Sequence, residues 1–163
     1  VLAMEGLVEL IPSRGAIVNK LTAKDAKDML SVLINLEQMA GPLACRNATA
    51  EDVDEIKAIH KEMVKLYKAR KRIPYFKLSQ LIHTRLSELA DNASLSLVHE
   101  ILQSRMKRIR FLGDSTEESW ADAVRDHEEM IQALEQRDEK RLTTAMTSHL
   151  DRTWERILHT FDA

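Results

Sequence analysis

Three histidines fall where apolar side chains are expected. Between Trp120 and Leu134, the residues Trp120, Ala123, Val124, Met130, Ile131 and Leu134 recur at steps of three and four, and His127 lies among them. That is the stripe of a helix with one buried face. In the next segment Leu142, Ala145, Met146, Leu150, Thr153 and Ile157 form the stripe, which includes His149. His83 lines up with Ser79, Leu86 and Ala90 on an earlier helical stretch. An imidazole has two ring nitrogens that need partners, and each buried polar group left unsatisfied costs about 1–3 kcal/mol. One divalent metal held by three neutral imidazoles would satisfy all three together. The other reading is that each ring bonds separately to a backbone carbonyl or a carboxylate.

Arg105 raises the same question in cationic form. It follows Val98 and Leu102 and precedes Ile109 on a helical stripe, and an arginine is rarely buried without a partner. Either its stem covers apolar surface while its head reaches water, or it points into the histidine cavity to meet an anion. A guanidinium grips a carboxylate through two parallel hydrogen bonds. Arg108 is the second candidate for that role. His60 reads as an ordinary hydrogen-bonded residue near the inward side of its helix, and His99 and His159 as exposed or interfacial.

These side chains must be positioned by helices. Thr22 with Asp25, Thr49 with Asp52 and Ser115 with Glu118 have the spacing of N-terminal capping boxes. The first helix carries Met29, Leu33, Leu36 and Ala40, and Gly41-Pro42 predicts a kink or an interruption. A second helix runs from about Ala50 to Arg70, a third begins at Pro74, and Asp91-Asn92 breaks the pattern after Ala90. A fourth ends at Gly113-Asp114, and two more carry His127 and His149. Residues 1–21 differ. Val1–Glu5 reads as the tail of a helix closed by Gly6, and Leu7–Ile11 and Ala16–Val18 are short β-prone runs around the turn sequence Pro12-Ser13-Arg14-Gly15. The chain opens at Val1 in what reads as mid-helix, so an N-terminal portion is expected to precede it.

Composition narrows the classes. The 163 residues are 44% hydrophobic, 31% charged and only 4% aromatic, with a net charge of −2. That suits a helix-rich globular body and argues against strong nucleic-acid binding by this segment alone. Cys45 is the single cysteine, so no internal disulfide can form, which fits a cytoplasmic protein. No apolar run approaches the roughly 20 residues of a membrane span.

At this point a family resemblance emerges. The run from Leu7 to Val18 resembles the wing of GntR-type transcriptional regulators of the FadR subfamily, and the body is similar to their effector domain, called FCD. Tyr75-Phe76-x-Leu78-Ser79-x-x-Ile82-His83, the following Asn92, Asp126-His127-Glu128 and Met146-x-x-His149-Leu150 match that domain's metal-site segments in order and spacing. The resemblance implies an all-α, antiparallel six- to seven-helix bundle over residues 22–163, preceded by a β-hairpin that ends a winged helix-turn-helix within residues 1–21. It implies a dimeric, ligand-responsive bacterial regulator of operator DNA rather than an enzyme. The metal would be zinc, with nickel or manganese as alternatives, and the effector a small carboxylic acid. Site residues carried over are His83, His127 and His149 for the metal and Asn92 for the effector, beside Arg105 and Arg108, the effector candidates read from the helical stripe. Arg14 and Gly15 would approach DNA.

One ligand departs from the family pattern. An aspartate usually stands one helical turn before the first histidine, and here that position is Ser79. A hydroxyl is a poor ligand for a divalent ion, so Ser79 is expected to hold a water, leaving three protein ligands. Two other functions stay open: a metal-dependent hydrolase, against which stands the lack of an HExxH motif or a clear general base, and a plain helical dimerisation module with structural histidines.

Overall fold

The computed structural model describes residues 8–11, 15–18, 21–113 and 116–161. Strands β1 (Val8–Ile11) and β2 (Gly15–Val18) pair antiparallel, with Val8 opposite Val18 and Ile11 opposite Gly15. Gly15 has φ of 88°, a left-handed value that favours glycine. Val1–Gly6 and Arg14 lie outside the described residues.

Six helices follow: α1 (Ala23–Asn47), α2 (Ala50–Lys68), α3 (Arg72–Glu88), α4 (Ala93–Gly113), α5 (Glu117–Glu135) and α6 (Glu139–Leu158). Thr22 and Thr49 cap α1 and α2 through complete capping boxes with Asp25 and Asp52. The cap of α5 is Thr116, whose hydroxyl accepts from the Ser119 backbone N–H; Ser115, expected in that role, lies outside the described residues. Pro74 falls in the first turn of α3, where its missing N–H leaves no helical bond unmade. Arg70, Asp91 and Arg137 take left-handed φ values of 56°, 50° and 56° where α2, α3 and α5 stop, which turns the chain sharply into the next helix.

The break expected at Gly41-Pro42 does not occur, and α1 runs through both residues. The reason lies in its partner. α1 packs antiparallel along α6, with Arg46 near its end bonded to Glu139 at the start of α6. A Cβ on Gly41 would meet the Thr143 hydroxyl at 2.8 Å and its backbone at 3.3 Å. Burial on both sides of the proline therefore holds the helix together across it.

The core is divided. One apolar cluster gathers Ala40 and Ala44 of α1, Met63 of α2, Leu86 of α3, Met130 of α5 and Leu142 of α6. The other gathers Met29 and Leu33 of α1, Met106 of α4, and Leu150 and Ile157 of α6. Along α1 the two are separated by Glu37, and along α6 by His149, both buried. A polar layer therefore crosses the middle of the bundle, and all three histidines of interest belong to it.

Candidate metal centre

His83 on α3, His127 on α5 and His149 on α6 point at one another. Each is 0–1% exposed, the three ring centroids lie 5.0–5.1 Å apart, and one nitrogen from each ring lies within 4.8 Å of the others. The helical stripes produce this directly: each histidine replaces one apolar residue on the inward face of its helix.

The outer nitrogen of every ring faces an oxygen, and those of His127 and His149 are hydrogen-bonded. His127 Nδ1 donates to the Ala123 carbonyl at 2.6 Å, and His149 Nδ1 to Asp126 Oδ2 at 3.0 Å. His83 Nδ1 faces Glu37 Oε1 at 3.5 Å, a long contact. Asp126 is held in turn by Arg152, through contacts of 2.5 and 3.1 Å. With Nδ1 carrying the proton in each ring, all three Nε2 lone pairs turn inward. Burial holds the imidazoles below their ordinary pKa, His127 and His149 well below, so the lone pairs stay available at neutral pH. Burial pushes the Glu37 carboxyl up, but its contacts with His83 and His99 outweigh that and hold it at about 2.

Such a donor set fits a divalent cation. Three neutral imidazoles, two backed by carboxylates and one by a carbonyl, are the usual arrangement of ligand and outer support. Tetrahedral coordination at about 2.0–2.1 Å requires nitrogens roughly 3.3 Å apart, so the rings would close inward by about an ångström.

Two internal donors already reach the inward nitrogens. The Ser79 hydroxyl lies 3.1 Å from His127 Nε2. Arg110 Nη2 lies 3.4 Å from His83 Nε2 and 3.3 Å from His149 Nε2, and Arg110 Nη1 donates to Gln103 Oε1. The guanidinium beside the histidines is thus Arg110's and not, as expected, that of Arg105, which is half-buried with its Nε making no hydrogen bond. Arg108 is exposed. Asn92 uses its side-chain oxygen to accept the Leu95 backbone N–H at 3.1 Å, so it starts α4. His99, expected at the surface, is 1% exposed and faces Glu37 at 3.4 Å; His159 is exposed.

These differences share one cause. The inward line of α4 is Leu95, His99, Gln103, Met106, Arg110 and Gly113, whereas Leu97, Val98 and Ile101 point outward at 59%, 41% and 40% exposure. A helix lining a polar layer reverses the usual rule, so its apolar stripe marks the wrong face. Glu37 did leave a signal: it lies in step with Leu30, Leu33, Ala40 and Ala44 on the buried line of α1.

Comparison with known proteins agrees with this architecture. The chain is 24% identical over 158 residues to the HTH-type transcriptional repressor RspR of Escherichia coli K12, covering 96% of this chain and 68% of that protein. Among solved structures it superposes on E. coli McbR/YncC with a TM-score of 0.88 at 14% identity, over 98% of this chain and 80% of that one. On the Streptococcus agalactiae GntR structure the TM-score is 0.72 at 15% identity, over 94% and 77%. RspR is named as a transcriptional repressor, not as an enzyme. The family model described as the FCD domain matches residues 28–152, from the first turns of α1 into α6, and so takes in every helix and the whole histidine layer; the chain belongs to the FCD domain family.

Proposed function

We propose that this chain is the effector-sensing part of a GntR-type transcriptional regulator, in which His83, His127 and His149 hold a divalent metal and a small carboxylic acid binds beside it. The observation that carries the reading is the convergence of one nitrogen from each of three buried imidazoles within 4.8 Å, with His127 and His149 oriented by outer hydrogen bonds and His83 facing Glu37. A cation there, with zinc the first choice and nickel or manganese next, would supply positive charge and open coordination positions for a carboxylate. Arg110 would supply the protein's own positive charge to the same anion. Ser79, through its hydroxyl, would position a water or one effector oxygen.

Residues 1–21 then form the end of a winged helix-turn-helix, with β1 and β2 as its wing and with Arg14 and Gly15 as the residues that approach operator DNA. Residues 22–163 form the sensing and dimerisation domain. The outward apolar residues of α4 support a homodimer, since Leu97, Val98 and Ile101 lie on one face and are exposed. A regulator of operator DNA works in the cytoplasm. Among the described residues no helix is long and apolar enough to cross a membrane. An acid regulates only insofar as it binds two arrangements of the dimer unequally.

A thermal-shift screen of small carboxylic acids, with and without zinc, tests the function. A ligand raises the melting temperature according to its concentration over its dissociation constant. The expected result is stabilisation by zinc and further stabilisation by at least one acid only when zinc is present. No response to zinc, chelator or any acid would overturn the reading.

A further inference from the structure

The inward nitrogens of the histidine trio are already occupied by hydrogen bonds, and the principal occupant is a cation. Arg110 is 2% exposed, and its Nη2 bridges His83 Nε2 at 3.4 Å and His149 Nε2 at 3.3 Å. Gln103, itself 6% exposed, accepts from the other terminal nitrogen and so fixes the plane of the guanidinium.

We infer that the Arg110 guanidinium is the resident cation of the trihistidine site, and that a divalent metal binds only when Arg110 lets go of His83 and His149. This rests on the proposal that the three histidines are metal ligands. The chemistry is exclusive because a neutral imidazole whose Nδ1 carries the proton has one lone pair, on Nε2. That pair either accepts an N–H from Arg110 or coordinates a metal. Two of the three ligands are therefore blocked by one side chain, and the Ser79 hydroxyl caps the third at 3.1 Å.

Charge leads to the same conclusion. The buried charges are Glu37 and Asp126 against Arg110, and Arg152, 42% exposed, reaches Asp126 from the edge of the layer, so the four charges balance as they stand. A divalent ion adds two positive charges a few ångströms from a guanidinium, where low polarity makes repulsion strong. Arg110 must withdraw, an anion must enter, or both. The arginine thus keeps the histidines satisfied when no metal is bound and becomes an anion receptor when one arrives. Arg110 also ties the site to α4, the helix whose outer face carries Leu97, Val98 and Ile101. Occupancy of the centre is thereby linked to the position of an exposed apolar surface.

The test is zinc affinity of the full chain, measured by competition with a chromophoric chelator, for the wild type and for Arg110→Met, which keeps length and flexibility but removes charge and donors. The variant is expected to bind zinc at least about tenfold more tightly, because two hydrogen bonds and one repulsion no longer oppose the metal. Equal or weaker binding by the variant, with the wild type binding normally, overturns the inference and leaves the metal reading standing. Binding by neither protein overturns the metal reading, and the inference with it. A second measurement needs no substitution: the Arg110 side-chain 15N–1H signals of the wild type should shift on zinc titration in step with site occupancy. Signals that stay unchanged through saturation contradict the inference even if Arg110→Met does not fold.

Discussion

Helices α4 and α6 cross the same polar layer by opposite arrangements. α6 is mostly apolar inward on both sides of the layer, with Leu142 and Met146 before His149 and Leu150 and Ile157 after it, so His149 and Thr153 interrupt an ordinary stripe. α4 turns His99, Gln103 and Arg110 inward and leaves Leu97, Val98 and Ile101 in solvent. One helix is held by core packing and lends a ligand. The other lines the chemistry on one side and offers an apolar surface on the other. The contrast teaches that amphipathic patterning reports burial against apolar neighbours, and fails where the interior itself is polar.

The largest expected effect that separates them is a leucine truncation on each. Leu142 is 0% exposed, so Leu142→Ala should destabilise the fold by about 2–5 kcal/mol in urea denaturation. At the other extreme, Leu97→Ala should change the stability of the dissociated single chain by less than about 0.5 kcal/mol, since Leu97 is 59% exposed there. Similar costs for the two would remove the distinction between the helices.

Next in size is the outer support of the centre. Glu37 faces both His83 and His99, and Glu37→Gln keeps the shape while removing the charge that favours the Nδ1–H tautomer of His83. Zinc affinity, measured by chelator competition, should fall about ten- to a hundredfold. An unchanged affinity would mean that the polar layer surrounds the histidines without orienting them.

Acid should act on the layer before it acts on the surface. With metal removed by chelator, burial keeps the folded-state pKa of His83, His127 and His149 below the ordinary value. Below about pH 6.5 the unfolded chain therefore binds protons that the folded chain refuses, so stability falls as pH drops from there. Glu37, held at about 2, adds stability that is present above roughly pH 4.3 and lost as pH falls through the folded value. Urea midpoints measured from neutral to mildly acidic pH should decline first in the histidine range, and His127→Phe should flatten that first decline. A flat profile there would contradict neutral buried imidazoles.

The same comparison explains what was legible in the sequence. The histidines on α3, α5 and α6 could be read because each falls within a stripe that is mostly apolar. Arg110 and His99 could not, because the apolar residues of α4 drew attention to its outer face and assigned the guanidinium to Arg105. Glu37 was legible in principle, as a charge in step with four buried residues on α1. The continuity of α1 through Pro42 was not, since it depends on the approach of α6 at Gly41, a long-range contact that no local pattern encodes.

The account's central claim is that three imidazoles from three helices form one metal centre. X-ray absorption of the zinc-loaded chain tests it most directly. The account predicts one zinc per chain with three histidine nitrogens at about 2.0–2.1 Å and oxygen completing the shell, and loss of that signature in His127→Ala. A spectrum with one imidazole or none, or one unaltered by the substitution, would contradict it.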